Sequence, residues 1–376
     1  MKQLLIPIFS LFVFLASCCN GNLREHIANN GIVCNMEYAE NLTLIKYDHY
    51  TKAVLRNPWD TTSILQTYIL VSEDINPDSL PEGVIIKTPI KNALVYSSVH
   101  CTLICELGGE KQIGGVCDSE YIYVEELKNR LANGTLADCG NSMSPNFEKI
   151  IKLHPQAIFL SPYENNNGYG KLDKLNIPII LCADYMETSA LGRAEWVKFY
   201  GLLFGQEKKA NELFSQVSSN FINLKEKAKN SLKRPKVLSD TRYGQIWYMP
   251  GGHSTMGQLY EDAGALNPFG YLEQSGSAPL SAEQVFDKAH DADVWIIKYN
   301  QPTDKTLKEL SKEDAIYKQF KPFKEGNVYG SNTSTSRFYE ETPYHPDRLL
   351  ADFIQIFHPE LGLEHKLKYF KKLEKE

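Results

Sequence analysis

One pattern occurs twice in this 376-residue chain, about 135 residues apart. NFEKIIKLHPQAIFLSP (146–162) and SAEQVFDKAHDADVWII (281–297) each begin with a glutamate-led helical pattern and continue into a short apolar run. Such a sequence predicts a helix that leads into a buried strand. Two copies predict two lobes with related layouts. The copies are not identical, since His154 follows Glu148 by six residues and His290 follows Glu283 by seven.

Strand-like and helix-like segments alternate on both sides of a long middle region. This order predicts an α/β fold of two lobes with mostly parallel sheets flanked by helices, and places functional loops at the carboxyl ends of the strands. Ser144 and Pro145 are predicted to open the helix that carries Glu148. The predicted strands are NALVYSS, QIGGVCD, QAIFLSP and IPIILCA in the first half, and KVLSD, VWIIKYN and GNVYGSN in the second.

The middle region predicts a single long connecting helix. Between Gln206 and Leu232 lie 27 residues, which span ~40 Å in helical conformation. A coiled-coil partner would need an apolar stripe sustained on more of the helix, so a helix bridging two lobes fits better. The stripe on one face consists of Ala210, Leu213, Phe214, Val217, Phe221, Leu224 and Ala228.

Ahead of the first lobe, residues 41–72 form short alternating runs joined by RNPWDTT, which predict an added antiparallel hairpin. Length alone favours two lobes in the mature chain. The predicted division is a signal peptide (1–17), a lipidated tether (18–35), an N-terminal lobe with its hairpin (36–187), connecting helices (188–233), a C-terminal lobe (234–357) and a C-terminal tail (358–376).

The first residues predict export. Lys2 precedes a 12-residue apolar stretch, LLIPIFSLFVFL, which is too short to span ~30 Å of hydrocarbon and fits a signal peptide. The following LASC resembles the lipobox of bacterial lipoproteins, which implies lipidation of Cys18 and membrane attachment by lipid alone. An ordinary signal peptide that happens to contain Cys18 is the alternative. We expect a periplasm-facing lipoprotein of the cell envelope, because no acidic run follows Cys18.

Several function classes lack support in the sequence. A net charge of −6 without a basic patch argues against nucleic acid as a partner. GGHSTMG departs from the nucleophile-elbow pattern at Met256, and no zincin, Walker or paired C-x-x-C motif is present. His100 and Cys101, with Cys105 four residues on, could suggest a metal site, but their segment is apolar and fits a buried helix. We therefore predict no catalytic and no metal-ligating residue, and leave disulfide pairing open.

Four stretches, taken in order, resemble a known family. VYSSVHCTLICELGGEKQIGGVCD, NFEKIIKLHPQAIFLSP, YMPGGHSTMGQLYEDAGA and LSAEQVFDKAHDADVWII are similar to the substrate-binding proteins of ABC importers for iron-siderophores, haem and cobalamin. The resemblance covers about residues 93–361. It implies two α/β lobes joined by one long helix, a ligand in the cleft between them, a monomer and no enzymatic activity.

The resemblance also implies a docking role for one glutamate on each lobe. These positions fall on Glu148 and Glu283, which would enter arginine pockets of the transmembrane permease that works with its ATPase. Each glutamate also lies in the first turn of a predicted helix, where an acid gains ~0.3–1 kcal/mol from the helix dipole. Helix stabilisation alone is therefore the alternative explanation.

Alignment to the family implies a set of cleft residues on the loops after the strands. For Trp247 and Tyr248 core packing is the alternative, whereas Arg337 and Tyr339 lie in a polar segment. The predicted ligand-binding residues are Ser98, His100, Asp118, Tyr121, Asn141 and Tyr163 in the first lobe, and Tyr243, Trp247, Tyr248, Arg337 and Tyr339 in the second.

The expected ligand is a metal chelate: a corrinoid such as cobalamin, a ferric siderophore or haem. The aromatic-rich set tilts the prediction slightly toward a corrinoid. Arg242 and Arg337 would suit a ferric siderophore, and a tyrosine or His100 would suit haem. Two other classes stay open. A periplasmic metal chelatase would need His100 or His253 in the cleft, and a sensor or delivery lipoprotein would serve an outer-membrane receptor.

Overall fold

A computed structural model describes residues 31–72, 80–164 and 168–376. The predicted signal peptide, Cys18 and most of the predicted tether lie outside these residues. Within the described ranges, no helix is both long and apolar enough to cross a membrane.

The N-terminal region is larger than the predicted hairpin. Its five strands pair in sequence order, antiparallel except for the last two, which are parallel. Tyr68, on the fourth strand, ties this sheet to the first lobe, because its hydroxyl donates to the carbonyl of Ile179 and accepts from the amide of Leu181. The strands are β1 (Ile32–Val33), β2 (Leu42–Lys46), β3 (Tyr50–Arg56), β4 (Ile64–Val71) and β5 (Val84–Lys87).

Two buried carboxylates attach the segment before β2 to the helices that follow the first lobe. Glu195 accepts hydrogen bonds from the amides of residues 37, 38 and 39, and Glu187 accepts from the amides of residues 40 and 41. Hydrogen bonds to carboxylates are stronger than those between neutral groups. Residues 37–41 are therefore held firmly against the segment that contains Glu187 and Glu195.

The first lobe contains the predicted parallel sheet. Its strand order is β12-β11-β6-β7-β8, and every pairing in it is parallel. A separate two-stranded antiparallel unit, β9 with β10, precedes the last helix of the lobe. The elements are β6 (Ala93–Val95), α1 (Ser98–Glu106), β7 (Ile113–Val116), α2 (Glu125–Ala132), β8 (Ala137–Asp138), β9 (Gly140–Asn141), β10 (Ser144–Pro145), α3 (Phe147–Leu153), β11 (Ala157–Leu160) and β12 (Ile179–Leu181).

Three helices connect the lobes: α4 (Ala190–Glu195), α5 (Val197–Phe204) and α6 (Glu207–Ala228). The long helix α6 has 22 residues and ends four residues before the predicted boundary at Leu232. The predicted stripe is confirmed as its inner face. Ala210, Phe214, Val217, Phe221 and Ala228 are buried, and Leu213 and Leu224 are half-buried.

The second lobe has a sheet in the order β13-β16-β17-β18 and a separate hairpin of β14 with β15. The predicted tail (358–376) contributes to this lobe, because β18 pairs antiparallel with β17. The elements are β13 (Val237–Ser239), β14 (Trp247–Pro250), α7 (Thr255–Asp262), β15 (Ser277–Leu280), α8 (Ala282–Ala289), β16 (Val294–Tyr299), α9 (Leu307–Glu313), α10 (Lys321–Lys324), β17 (Val328–Asn332), α11 (Phe338–Glu341), α12 (Pro346–Phe357) and β18 (Lys371–Lys372).

The repeated sequence pattern forms the same local structure in both lobes. Asn146 caps α3 by accepting from the amide of Lys149 at 3.0 Å, and Ser281 caps α8 in a reciprocal capping box with Gln284. Ser144 and Pro145, predicted to open α3, instead form strand β10, so that prediction is wrong by two residues. Because Glu148 and Glu283 each follow the first helical residue, they occupy equivalent positions.

Alternate residues of β16 enter different cores. Val294 and Ile296 pack in a core shared by the first lobe, the connecting helices and α12. Trp295 and Ile297 pack in a second core that belongs to the second lobe alone. This alternation follows from the two-residue period of a strand that is covered on both faces.

Candidate ligand-binding site

A cavity of about 860 Å³ lies where both lobes meet. Its wall begins at the residues that follow β6, β7 and β11 in the first lobe and β16 and β17 in the second. These are the carboxyl ends of parallel strands, the place where α/β folds present their functional loops. The lining consists of Tyr96, Ser97, Ser98, Asp118, Tyr121, Tyr123, Ser142, Met143, Ser144, Pro145, Phe147, Leu160, Ser161, Tyr163, Gly168, Tyr169, Gly170, Leu172, Asn300, Thr333, Tyr339 and Glu340.

Five of the predicted ligand-binding residues come together in this lining. They are Ser98, Asp118, Tyr121, Tyr163 and Tyr339. The three tyrosines among them are about half exposed, so their rings are open to a ligand. The structure therefore brings residues from positions 98 to 339 into one site.

Four other predicted residues lie on the surface and are not part of the lining. Asn141 borders it, since its side chain accepts from the amide of the lining residue Met143. Tyr243, Tyr248 and Arg337 are exposed but do not line the cavity. Arg337 has a left-handed backbone (φ 55°) directly before α11 and thereby sets the direction of that helix.

The structure places His100 and Trp247 in the protein core, which corrects their assignment to the cleft. His100 is 3% exposed, and its Nε2 lies 2.8 Å from Oδ1 of Asp184. Trp247 is fully buried against Trp295, and its indole N–H donates to the carbonyl of Ser239. Neither side chain has surface to offer a ligand.

Asp184 is the centre of a buried polar network. Besides His100, it accepts from Nε of Arg193 at 3.1 Å and from the hydroxyl of Tyr200 at 3.3 Å. Burial alone would raise the pKa of this carboxyl, but the two cations outweigh it and lower the pKa to about 2. Burial likewise works against a charged His100, while Cys182 and Asp184 raise its pKa overall. The network fixes the start of the connecting helices.

Several lining residues escape sequence reasoning. Tyr96 directly follows β6, and Tyr123 follows Tyr121 at strand-like spacing, so a broader rule for aromatic residues after strands would have included both. Glu340 gives no such signal. It reaches the site because α1 packs against α11, and Ser98 Oγ donates to Glu340 Oε1 at 3.3 Å across 242 residues of sequence.

The lining carries acidic but no basic side chains. Asp118 and Glu340 are its two carboxylic acids, and no lysine, arginine or histidine is among the lining residues that the structure describes. Glu340 is only 6% exposed, and its Oε2 has no hydrogen-bond partner within the described part of the chain. Burial raises the pKa of this carboxyl.

Asp118 has an unusual backbone. Its φ of 47° lies in the left-handed region, which non-glycine residues seldom occupy. The conformation is stabilised because the Asp118 amide donates to the carbonyl of Gly140 and its Oδ1 accepts from the amide of Ser142 at 2.9 Å. Strained positions of this kind concentrate at functional sites. The turn between β9 and β10 is thereby held against the cavity.

Both predicted docking glutamates are exposed on the outer surface. A hydrogen bond from Ser281 lowers the pKa of Glu283. Each carboxylate stands at the positive end of its helix, where negative charge is stabilised.

The groups that a chelatase or hydrolase would use are placed elsewhere. Neither His100 nor His253 lines the cavity. Ser254, in the GGHSTMG stretch, is buried and caps α7 by accepting from the amide of Gly257. In the described ranges, no group of three His, Cys, Asp or Glu side chains is arranged to hold a metal ion, and the cysteines there form no disulfide.

Two α/β lobes joined by helices, with a ligand-sized cavity between them, define a two-lobed binding protein. The sequence profile of the family described as periplasmic binding protein matches residues 95–333. The chain therefore belongs to the periplasmic binding protein family, whose members are transport components and not enzymes.

Known proteins resemble the chain over most of its length. The uncharacterized lipoprotein MJ0878 of Methanocaldococcus jannaschii is 28% identical, and the alignment covers 92% of this chain and 87% of that protein. Among solved structures, the molybdate-binding protein MolA of Haemophilus influenzae matches with a TM-score of 0.58 and 18% identity, covering 76% of this chain and 91% of its own. An ABC-type Fe³⁺-hydroxamate transport system protein of Saccharomonospora viridis has a TM-score of 0.55 and 16% identity, covering 72% and 94%.

Proposed function

We propose that this protein is the solute-binding component of an ABC importer and captures a metal chelate in the cavity between its lobes. One observation carries the proposal: a cavity of about 860 Å³ is formed jointly by both lobes at the carboxyl ends of their strands. That volume is within the ~300–1,000 Å³ range of small-molecule sites. A ligand that contacts both lobes would fix their relative position. A partner protein that touches both lobes could then distinguish the ligand-bound protein from the empty one.

The composition of the wall supports a large, partly apolar ligand. Aromatic rings supply contact area, and a few hydroxyls and carboxyls supply orientation. The similar structure from a Fe³⁺-hydroxamate transport system supports a chelated metal as cargo. A ferric siderophore, a corrinoid and haem are the members of this class that we propose to test. In each case the chelator, not the protein, would hold the metal.

We further propose that Glu148 and Glu283 dock the protein onto the permease, one from each lobe. Both residues are exposed and occupy the equivalent position, the second residue of α3 and of α8, which supports this proposal. Lipidation of Cys18 would keep the protein at the envelope membrane where the permease lies. The lipoprotein description of the M. jannaschii relative agrees with such an anchor.

The experiment begins with the visible spectrum of the protein purified from its native host, because corrinoids, haem and ferric siderophores absorb differently. The chelate identified is then titrated into ligand-free protein by isothermal calorimetry. We expect Tyr339→Ala to weaken binding about 2- to 10-fold, the effect of losing one aromatic contact.

Tyr243→Ala is the matched control, because Tyr243 is an exposed tyrosine of the second lobe outside the lining. It should bind like the unmodified protein. A protein that carries no chelate and binds none of the three classes would refute the proposed function.

A further inference from the structure

The charged side chains that line the cavity are all acidic. Six tyrosines line it together with Asp118 and Glu340, and the described lining contains no cationic side chain to balance the two acids. A ligand with free carboxylates would meet like charge here in a site of low dielectric constant, where repulsion is stronger than in water. A cationic group would gain from the acids and from the faces of the tyrosine rings.

Glu340 is the feature that points to a particular ligand group. Its Oε1 has the hydroxyl of Ser98 at 3.3 Å, whereas its buried Oε2 has no partner in the described structure. A buried carboxylate oxygen without a donor is costly, because it has lost its hydration without gaining a hydrogen bond. A ligand that brings an N–H donor to Oε2 would remove this cost.

Nearby cations do not supply that donor. Arg337 lies close enough to Glu340 to act on the pKa of its carboxyl, but it is exposed, lies outside the lining and donates no hydrogen bond to Oε2. Lys298 lies behind the second-lobe wall, but its ammonium group is bound to both carboxylate oxygens of Asp240 at 2.7 Å. Lys171 lies between the lining residues Gly170 and Leu172, and its Nζ is 5.3 Å from the ring centroid of Phe147. Neither is a lining residue, and the interior keeps its acidic character.

We propose that the cavity selects chelates of positive or zero net charge and that Glu340 binds an ammonium or amide N–H group of the chelate through Oε2. The inference rests on the proposed capture of a metal chelate and narrows its ligand class. It disfavours chelates with several free carboxylates.

The test uses three ferric complexes with one trihydroxamate core. Ferrioxamine B has a free terminal ammonium, its N-acetyl derivative is neutral there, and its N-succinyl derivative is anionic. We expect affinity to fall in that order, with about a tenfold or larger gap between the first two. Glu340→Gln should abolish that gap and leave binding of the N-acetyl complex within about twofold.

Two further variants provide a second test and a control. Asp118→Asn lowers the negative charge on the opposite wall and should narrow the gap between the cationic and anionic complexes even if Glu340→Gln folds poorly. Glu126→Gln changes an exposed acid at the second residue of α2, outside the lining, and should leave all three affinities unchanged.

The outcomes separate this inference from the proposed function. Tightest binding of the N-succinyl complex, or an unchanged gap in Glu340→Gln, overturns the inference. Binding of anionic haemin without binding of any trihydroxamate also overturns it, while chelate capture stands. Failure of these four chelates and of cobalamin to bind rejects chelate capture and this inference together.

Discussion

At the scale of single residues, neighbouring positions have opposite surroundings. Ser98 lines the cavity, whereas His100, two residues further along α1, is buried beside Asp184. A helix turns 100° per residue, so two steps carry a side chain to the far side. In strand β14, Tyr248 is exposed and Trp247 is buried, because adjacent strand residues point to opposite faces.

The Asp184 network makes a prediction for stability. Asp184→Asn would leave His100 and Arg193 without their counter-charge, and we expect it to lower the free energy of unfolding by about 3–5 kcal/mol at pH 7. Because the folded-state pKa is lowered to about 2, below about 3.9 in the unfolded chain, this contribution is complete above pH 4 and is lost as the pH falls toward 2. Urea unfolding at several pH values measures it.

Asp291→Asn is the control for this prediction. Asp291 pairs with Lys236 on the surface, and exposed pairs contribute only about 0–1 kcal/mol. If Asp184→Asn is no more destabilising than Asp291→Asn at pH 7, or its effect stays constant down to pH 2, the assigned role of Asp184 is wrong.

Only some residues of the site could be predicted from the sequence. The carboxyl ends of strands are visible in the sequence because the alternation of elements is local. The family alignment placed Ser98, Asp118, Tyr121, Tyr163 and Tyr339 on segments that do reach the cavity. Glu340 reaches the cavity through the contact between α1 and α11. Its partner Ser98 is 242 residues away in the sequence, and spacing along the chain does not reveal such a contact.

At the scale of elements, the last residues of the chain support the site from behind. Phe370 packs against Phe338 and Phe353, and Asp352 accepts backbone hydrogen bonds from residues 368 and 369. Phe338 is the first residue of α11, which presents Tyr339 and Glu340 to the cavity. A segment predicted as a tail is therefore part of the packing that positions side chains lining the cavity.

Truncating this contact should affect stability and binding together. We expect Phe370→Ala to lower the free energy of unfolding by about 3–5 kcal/mol, because it opens a cavity among buried rings. It should also weaken chelate binding through movement of α11. Calorimetric titration and thermal unfolding measure the two effects. Lys372→Ala, in the exposed strand beside it, should change neither, and undiminished stability of Phe370→Ala would contradict the packing described.

At the scale of the whole molecule, Glu148 and Glu283 occupy equivalent positions on the two lobes. The sequence repeat predicted two related lobes because each copy contains its own helix cap, glutamate and strand. It could not predict the five-stranded N-terminal sheet or the contribution of β18, since both arise from pairings with distant segments. The long helix was predictable from its stripe, but its end was not, because helix termini depend on local hydrogen bonding.

The proposed docking of Glu148 and Glu283 onto the permease predicts a loss of uptake when either residue is replaced. Glu148→Ala and Glu283→Ala should each reduce chelate uptake by cells at least several-fold, and the double variant should reduce it further, because charge-assisted contacts with the permease are lost. Ligand affinity of the purified variants should be unchanged, since both residues lie outside the lining. Radiolabelled metal uptake and calorimetry provide the two readouts.

Glu126→Ala is the matched control, as it removes an exposed acid from the equivalent position of α2. Uptake should stay normal in that variant. Loss of ligand affinity in Glu148→Ala or Glu283→Ala, or uptake equal to that of Glu126→Ala, would argue for a purely helix-stabilising role.

The alternation along β16 has a mechanical consequence. Because Val294 and Ile296 belong to the shared core while Trp295 and Ile297 belong to the core of the second lobe, the strand cannot slide along one core without disrupting the other. Packed interiors resist such sliding, since close-packed side chains have few alternative arrangements. Because the shared core also contains residues of the first lobe and the connecting helices, β16 couples the second lobe to both, and a large change in the angle between the lobes would have to disrupt this core.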